Sequence, residues 1–142
     1  MKTLLLLSTL FFSFYLNIME DKNTVEVTIT EVTSDKGKLM IGLYNKENTF
    51  PKYEEVYQGQ IISAQKGKVN CTFSNLPKGE YAIAVWHDEN NNQSLDTNWV
   101  GIPKEKYGFS NNPDSRFGAP SFKKATFDFN QDKTISLTIK LN

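Results

Sequence analysis

From Asp88 to Asp96, in the segment WHDENNNQSLD, every second residue carries an oxygen: Asp88, Asn90, Asn92, Ser94 and Asp96. A hard cation such as calcium needs several oxygens converging on one point. A tightly curved loop provides them from alternate residues, with Ser94 contributing its backbone carbonyl and Asp96 a direct or water-bridged carboxylate. Leu95 stands where such loops carry an apolar plug. The bidentate glutamate expected three residues after Asp96 is replaced by Trp99, so a further ligand would have to come from Glu105, Asp114 or Asp128. The same residue types also build metal-free turns, because Asn and Asp side chains cap nearby backbone N–H groups. A calcium site and a plain Asx turn are both open at this level.

His87, the only histidine, precedes this loop. Paired with Asp88 or Asp96 as acid and base, it would make the protein a small hydrolase or lyase. No serine or cysteine in a nucleophile motif accompanies it, and GxGxxG, a Walker lysine loop, HExxH, GxSxG and CxxC are all missing. The favoured expectation is therefore a non-enzyme, with His87 hydrogen-bonded to the long loop that follows. Arg116, the only arginine, can clamp a carboxylate, or pair with Asp114 or Asp96 and stack on a ring. Cys71 alternates with Val69 and Phe73 and reads as a small core residue.

The elements that must hold these residues are strands. Val25, Val27 and Ile29 alternate with Glu26, Thr28 and Thr30, the pattern of a half-buried strand. Leu39–Tyr44 and Tyr81–Trp86 are apolar on both faces, which predicts central positions, whereas Ile61–Ala64 reads as an edge. Val69–Phe73, Thr126–Phe129 and Ile135–Leu141 complete about seven strands, the pattern of an antiparallel immunoglobulin- or transthyretin-like sandwich. Two connections are long. Asn45–Gly59 has room for a helical turn, and Thr97–Lys123 lacks a strand pattern but carries Trp99, Tyr107, Phe109, Phe117 and Phe122. Disordered segments avoid aromatics, so this loop is predicted to be ordered, its rings buried over one end of the sandwich or lining a groove for a sugar or peptide.

Lys2 followed by the apolar run Leu4–Leu16 has the form of a secretory signal peptide, and the run is short for a bilayer span. Residues 1–20 are assigned to the leader, with cleavage placed loosely around Asn17 to Asp21, and residues 21–142 to one β-sandwich domain. The expected location is secreted or periplasmic, with no stable membrane insertion once the leader is removed. Sixteen basic and sixteen acidic residues give a formal net charge of zero, which argues against a nucleic-acid partner. One cysteine excludes an internal disulfide framework.

The stretch HDENNNQSLDTNWVGIPKEKYGFSNN (His87–Asn112), followed by RFGAPSFKKATF (Arg116–Phe127), resembles an uncharacterised bacterial family, domain of unknown function 2141. That family's pattern runs roughly HDxNxNGxLDxNxxGxPxExxGFSNN and then GxPxFxxAxF. This chain departs at Gln93, where the family has a glycine suited to a sharp turn. The resemblance implies export but no established activity. More distantly, Phe73–Tyr81 is similar to the NLPxGxY hairpin of transthyretin-like and carboxypeptidase-regulatory domains, which are largely non-catalytic. The expected role is a binding or structural module of the cell envelope, calcium-stabilised, with an envelope protein or a carbohydrate as partner.

Export has a direct test. Intact-mass measurement of protein recovered from its native host should show the leader removed; a mass retaining Met1–Leu16 on membrane-bound protein would replace the signal peptide with an anchor.

Overall fold

The computed structural model describes residues 23–130 and 133–142; the leader assignment lies outside the described residues. Eight strands form two packed sheets: β1 (Thr24–Val32), β2 (Lys38–Tyr44), β3 (Gln58–Ser63), β4 (Gly67–Phe73), β5 (Gly79–Asp88), β6 (Tyr107–Phe109), β7 (Phe127–Phe129) and β8 (Thr134–Lys140). The smaller sheet has the order β4-β1-β8 and the larger the order β3-β2-β5-β6, with β7 also pairing β5. The two strands that are apolar on both faces, β2 and β5, are the central pair of the larger sheet, and β3 is its edge.

The all-β sandwich expected from the sequence is present, and its pairing is mostly antiparallel; two details differ. The sandwich is not wholly antiparallel, because β8 returns to run parallel to β1 through the register Val25↔Ile135 to Thr30↔Lys140. The long loop also contains a strand. β6 is only three residues long, too short for alternation to announce itself, and it is recruited by pairing with Ala84–Trp86 of β5. Among the described residues helix is confined to single turns, a 3-10 turn at Tyr53–Glu55 and α1 at Phe122–Ala125.

The main core lies between the sheets. Val25, Val27 and Ile29 of β1 face Leu39, Ile41 and Leu43 of β2 and Ile83 and Val85 of β5, with Phe73, Phe129 and Ile139 closing the ends. Cys71 is buried in this core, and burial pushes its thiol up to about 12, so it behaves as a packing residue. A second apolar layer covers the other face of the larger sheet. There Tyr44, Ala82 and Ala84 meet Phe50, Phe109 and Ala125, with Val56, Tyr107 and Phe122 around them. Phe50 sits at the centre, packed edge-on against Tyr44, Phe109 and Phe122 at ring separations of 5.3, 5.8 and 5.8 Å. Both long connections are therefore pinned to the sheet by their own aromatics.

β6 also passes flush against the smaller sheet. A Cβ on Gly108 would lie 2.5 Å from the Lys140 carbonyl oxygen, so only glycine permits this approach.

The strand facing is open to test by chemical denaturation. Ile83→Ala, which empties a fully buried site, should cost about 2–5 kcal/mol through lost transfer energy and a cavity. Thr138→Ala, on the solvent face of β8, should cost under about 0.5 kcal/mol. Equal losses at the two positions would contradict the facing described here.

Candidate functional site

β5 ends in Trp86-His87-Asp88, and the oxygen-rich loop begins where its backbone leaves the sheet. The β1–β2 turn builds the floor beneath it. Gly37, at φ +69°, crosses so close that a Cβ there would fall 1.9 Å from the Asp88 carbonyl oxygen. The His87 imidazole, wholly buried, hydrogen-bonds through Nε2 to the Lys36 carbonyl at 2.7 Å. Ser34 donates its hydroxyl to Glu89 Oε1 at 2.8 Å. The side chain of His87 thus binds the β1–β2 turn and not the long loop expected from sequence. Only its backbone N–H reaches that loop, at the Lys106 carbonyl, 2.8 Å away.

Asp88, Asn90, Asn92 and Asp96 are brought together. Asp88 is fully buried, and its two oxygens accept the N–H groups of Asn92 and Gln93 at 3.1 and 2.9 Å. Asn90 Oδ1 accepts the Asn92 N–H at 3.1 Å, and Asn92 Oδ1 accepts that of Ser94 at 2.9 Å. Ser94 joins the network through this N–H. Both asparagine amides turn their nitrogens towards Asp96, the Asn92 contact measuring 3.0 Å. The backbone needed for this curl is left-handed at Asn91 and Gln93, with φ of 60° and 61°. The position where the family pattern has glycine is therefore the one where this chain bends a glutamine into an unfavourable region.

The loop is closed by a residue that sequence reasoning had offered only as a conceivable metal ligand. Glu105 receives the Glu89 N–H at 3.0 Å on one oxygen and the Asp96 N–H at 3.1 Å on the other, so one carboxylate ties both ends. The other two conceivable ligands lie elsewhere. Asp128 faces Glu80 across β7 and β5, at the far end of β5 from the loop. Asp114 pairs with exposed Arg116 through contacts of 3.0 and 2.7 Å, and the guanidinium holds its carboxyl down at about 2. No cluster of three or more His, Cys, Asp or Glu side chains suited to a metal occurs among the described residues; amides and a backbone carbonyl make up most of the five candidate ligands.

Sequence reasoning gave no role to Phe109-Ser110-Asn111-Asn112, which proves to be a clamp. Buried Ser110 accepts the Ile83 N–H at 2.8 Å and donates its hydroxyl to the Ala125 carbonyl. Asn111 donates to the Lys124 and Thr126 carbonyls, and Asn112 bonds the β8 backbone in both directions, at the Thr138 carbonyl and the Lys140 N–H. The available sequence clue is the Asn111-Asn112 pair, since asparagine tolerates left-handed backbone, and both take it, with φ of 65° and 47°.

The rings of the long loop divide. Phe109 is buried, and Tyr107 and Phe122 are half-buried, but Trp99 and Phe117 are 95% and 98% exposed, against the expectation that all would be covered. Arg116 lies over Phe117 at 5.9 Å. Trp99 crowns a short turn in which Asn98 Oδ1 accepts the N–H groups of Val100 and Ile102 at 3.0 and 2.9 Å.

These features define an all-β sandwich domain whose larger sheet is capped by an ordered loop assembly at the end of its central strand. The family model described as an uncharacterized protein conserved in bacteria, domain of unknown function 2141, matches residues 27–136, from within β1 to within β8. The chain belongs to this family. No curated protein and no solved structure matches it.

If Glu105 is the tie, Glu105→Ala should cost about 1–2 kcal/mol, since two charge-assisted bonds are lost at a half-exposed site. Glu105→Gln, which keeps one acceptor, should cost about half as much. Amide exchange at Glu89 and Asp96 should accelerate in both variants; unchanged exchange would mean the loop closes without Glu105.

Proposed function

We propose that the protein is an exported, non-catalytic binding or structural module of the bacterial cell envelope, with calcium stabilising its Asp88–Asp96 loop. The observation that carries the non-catalytic part is the position of His87. Its ring is 0% exposed and engaged with the Lys36 carbonyl, and its other nitrogen, Nδ1, has no hydrogen-bond partner among the described residues. The nearest carboxylate to that nitrogen is Glu89, at 3.7 Å. Arg116 is exposed and occupied by Asp114. An acid/base enzyme would need His87, a carboxylate and a cation opening into one cleft, and their separation favours the module.

The calcium reading is supported by the convergence of Asp88, Asn90, Asn92 and Asp96. Asparagine offers either end of its amide, so turning Asn90 and Asn92 about their terminal torsions presents oxygens to a cation beside Asp96. The left-handed Gln93 argues for modest affinity, in the range of about 0.1–1 mM common to extracellular calcium modules.

Thermal melting with chelator and then with millimolar calcium tests this. At roughly tenfold excess over such a dissociation constant, binding to the folded state alone should add about 1.4 kcal/mol, or several degrees of melting temperature. Asp88→Ala should abolish the increment, but it also strips two loop N–H groups of their acceptor and should cost about 1–3 kcal/mol without calcium. Asn90→Ala is the gentler companion and should lose most of the increment. A wild-type melting curve indifferent to calcium would reduce the loop to an Asx turn and remove the metal.

A further inference from the structure

An exposed tryptophan on a mobile strand end would carry little meaning, but Trp99 is held out by design. The turn from Thr97 to Pro103 is closed by a bridge between those residues, by Asn98 N–H to the Ile102 carbonyl at 2.8 Å, and by Gly101 N–H to the Asn98 carbonyl at 2.9 Å. Together with the two bonds to Asn98 Oδ1, these leave the backbone no slack to fold the indole inward. Beside Trp99, Val100 and Ile102 are 54% and 58% exposed. Phe117 belongs to the same surface. A cleft of about 730 Å³ is lined by both Ile102 and Arg116, and a second of about 120 Å³ by both Pro103 and Gly118, so the Phe117 turn flanks the Trp99 turn. Exposed large apolar side chains on two adjacent turns of a small domain mark a contact surface.

The charges around it select the partner. From Asp96 to Lys106 there are two acidic residues, neither of them exposed: Asp96, whose carboxylate is engaged by the Asn90 and Asn92 amides, and Glu105, whose carboxylate is turned inward to the Glu89 and Asp96 N–H groups. Lys104 and Lys106, on either side of it, are exposed. Across the cleft, Asp114 is neutralised by Arg116. The protruding turn is thus apolar at its crown, and the charges left exposed at its base are lysines. A sugar site needs polar groups beside its aromatic platform, and Trp99 has valine and isoleucine instead. Tryptophan at an apolar–polar boundary with lysines behind it matches the layering of a membrane surface, where the ring sits at headgroup depth and the ammonium groups meet lipid phosphates.

We propose that this end of the domain docks peripherally on an anionic lipid surface, with Trp99, Val100, Ile102 and Phe117 entering the interface and Lys104 and Lys106 contacting phosphate headgroups. This rests on the loop end being the working surface of a binding module and assigns that surface a partner.

Co-sedimentation of the domain with vesicles of equimolar phosphatidylglycerol and phosphatidylcholine, at low salt, tests the proposal. Binding should be strong there, weak on phosphatidylcholine alone, and reduced by salt. The tryptophan emission should shift to the blue on binding. Trp99→Ala, at a site too exposed to affect folding, should abolish that shift and weaken binding about tenfold or more. Lys104→Gln with Lys106→Gln should weaken it by about thirtyfold. Absence of wild-type binding, or binding untouched by Trp99→Ala, would overturn the proposal. So would a concentration-dependent dimer in sedimentation that Trp99→Ala dissolves, since the surface would then belong to a second copy. None of these results alters the calcium-dependent melting, which tests the metal part of that reading separately.

Discussion

The central strands of the larger sheet, β2 and β5, have no face to spare for water. Between the sheets, β2 and β5 bury Leu39, Ile41, Leu43, Ile83 and Val85; on the other side, they present Tyr44, Ala82 and Ala84. A sandwich ordinarily leaves that outer face polar. Here it is apolar, and the rest of the architecture follows from the need to cover it. Asn45–Val56 brings Phe50, and Tyr107–Ala125 brings Phe109, Phe122 and Ala125. The small residues Ala82 and Ala84 leave room for those rings, which is why a strand with modest side chains can be buried on both faces. The long connections are a third layer of the domain.

This explains what was legible in the sequence and what was not. A buried strand advertises itself by apolar residues on both faces, so β2 and β5 were placed centrally from composition alone, and the edge position of β3 followed from its weaker pattern. β6 was illegible because three residues carry no period; it exists only because Ala84–Trp86 offers a free edge. The parallel return of β8 beside β1 was equally hidden, since alternation reports which face a strand buries and not the direction of its neighbour. At the site, the spacing of Asp88, Asn90, Asn92 and Asp96 predicted a tight curl, and these residues do converge. Glu105 is legible only as a conceivable ligand, because its role as a tie depends on a fold-back between two sequence-distant backbone segments. The exposure of Trp99 and Phe117 escaped because sequence reveals that a loop has aromatics without saying how many the sheet can cover.

The loop after Asp88 shows how a buried carboxylate is made tolerable. Burying an ionised group is costly unless its lone pairs are met, and Asp88 has two backbone N–H donors supplied by the curl that follows it. The curl in turn requires left-handed residues, and Gln93 takes that conformation without the freedom of glycine. The anchoring floor of Gly37 and His87 then matters, because a strained turn holds its shape only where its surroundings leave it no alternative. The Lys36 carbonyl on His87 and the Glu105 carboxylate on both loop ends provide that restraint from opposite sides.

Short polar side chains bonding to backbone recur along this capping layer. Asn90 and Asn92 order the first turn, Asn98 the second, and Ser110, Asn111 and Asn112 rivet the remainder to β5, α1 and β8. Such bonds satisfy N–H and carbonyl groups that neither sheet nor helix reaches. They also change what the aromatics are for. A loop ordered by hydrophobic collapse must spend its large side chains inward, whereas a loop ordered by asparagine can leave some of them outside. Phe50 and Phe109 pin the layer to the sheet, and once the asparagines have set its path, Trp99 and Phe117 are not needed for its folding. Their exposure is therefore a property the backbone can maintain without them.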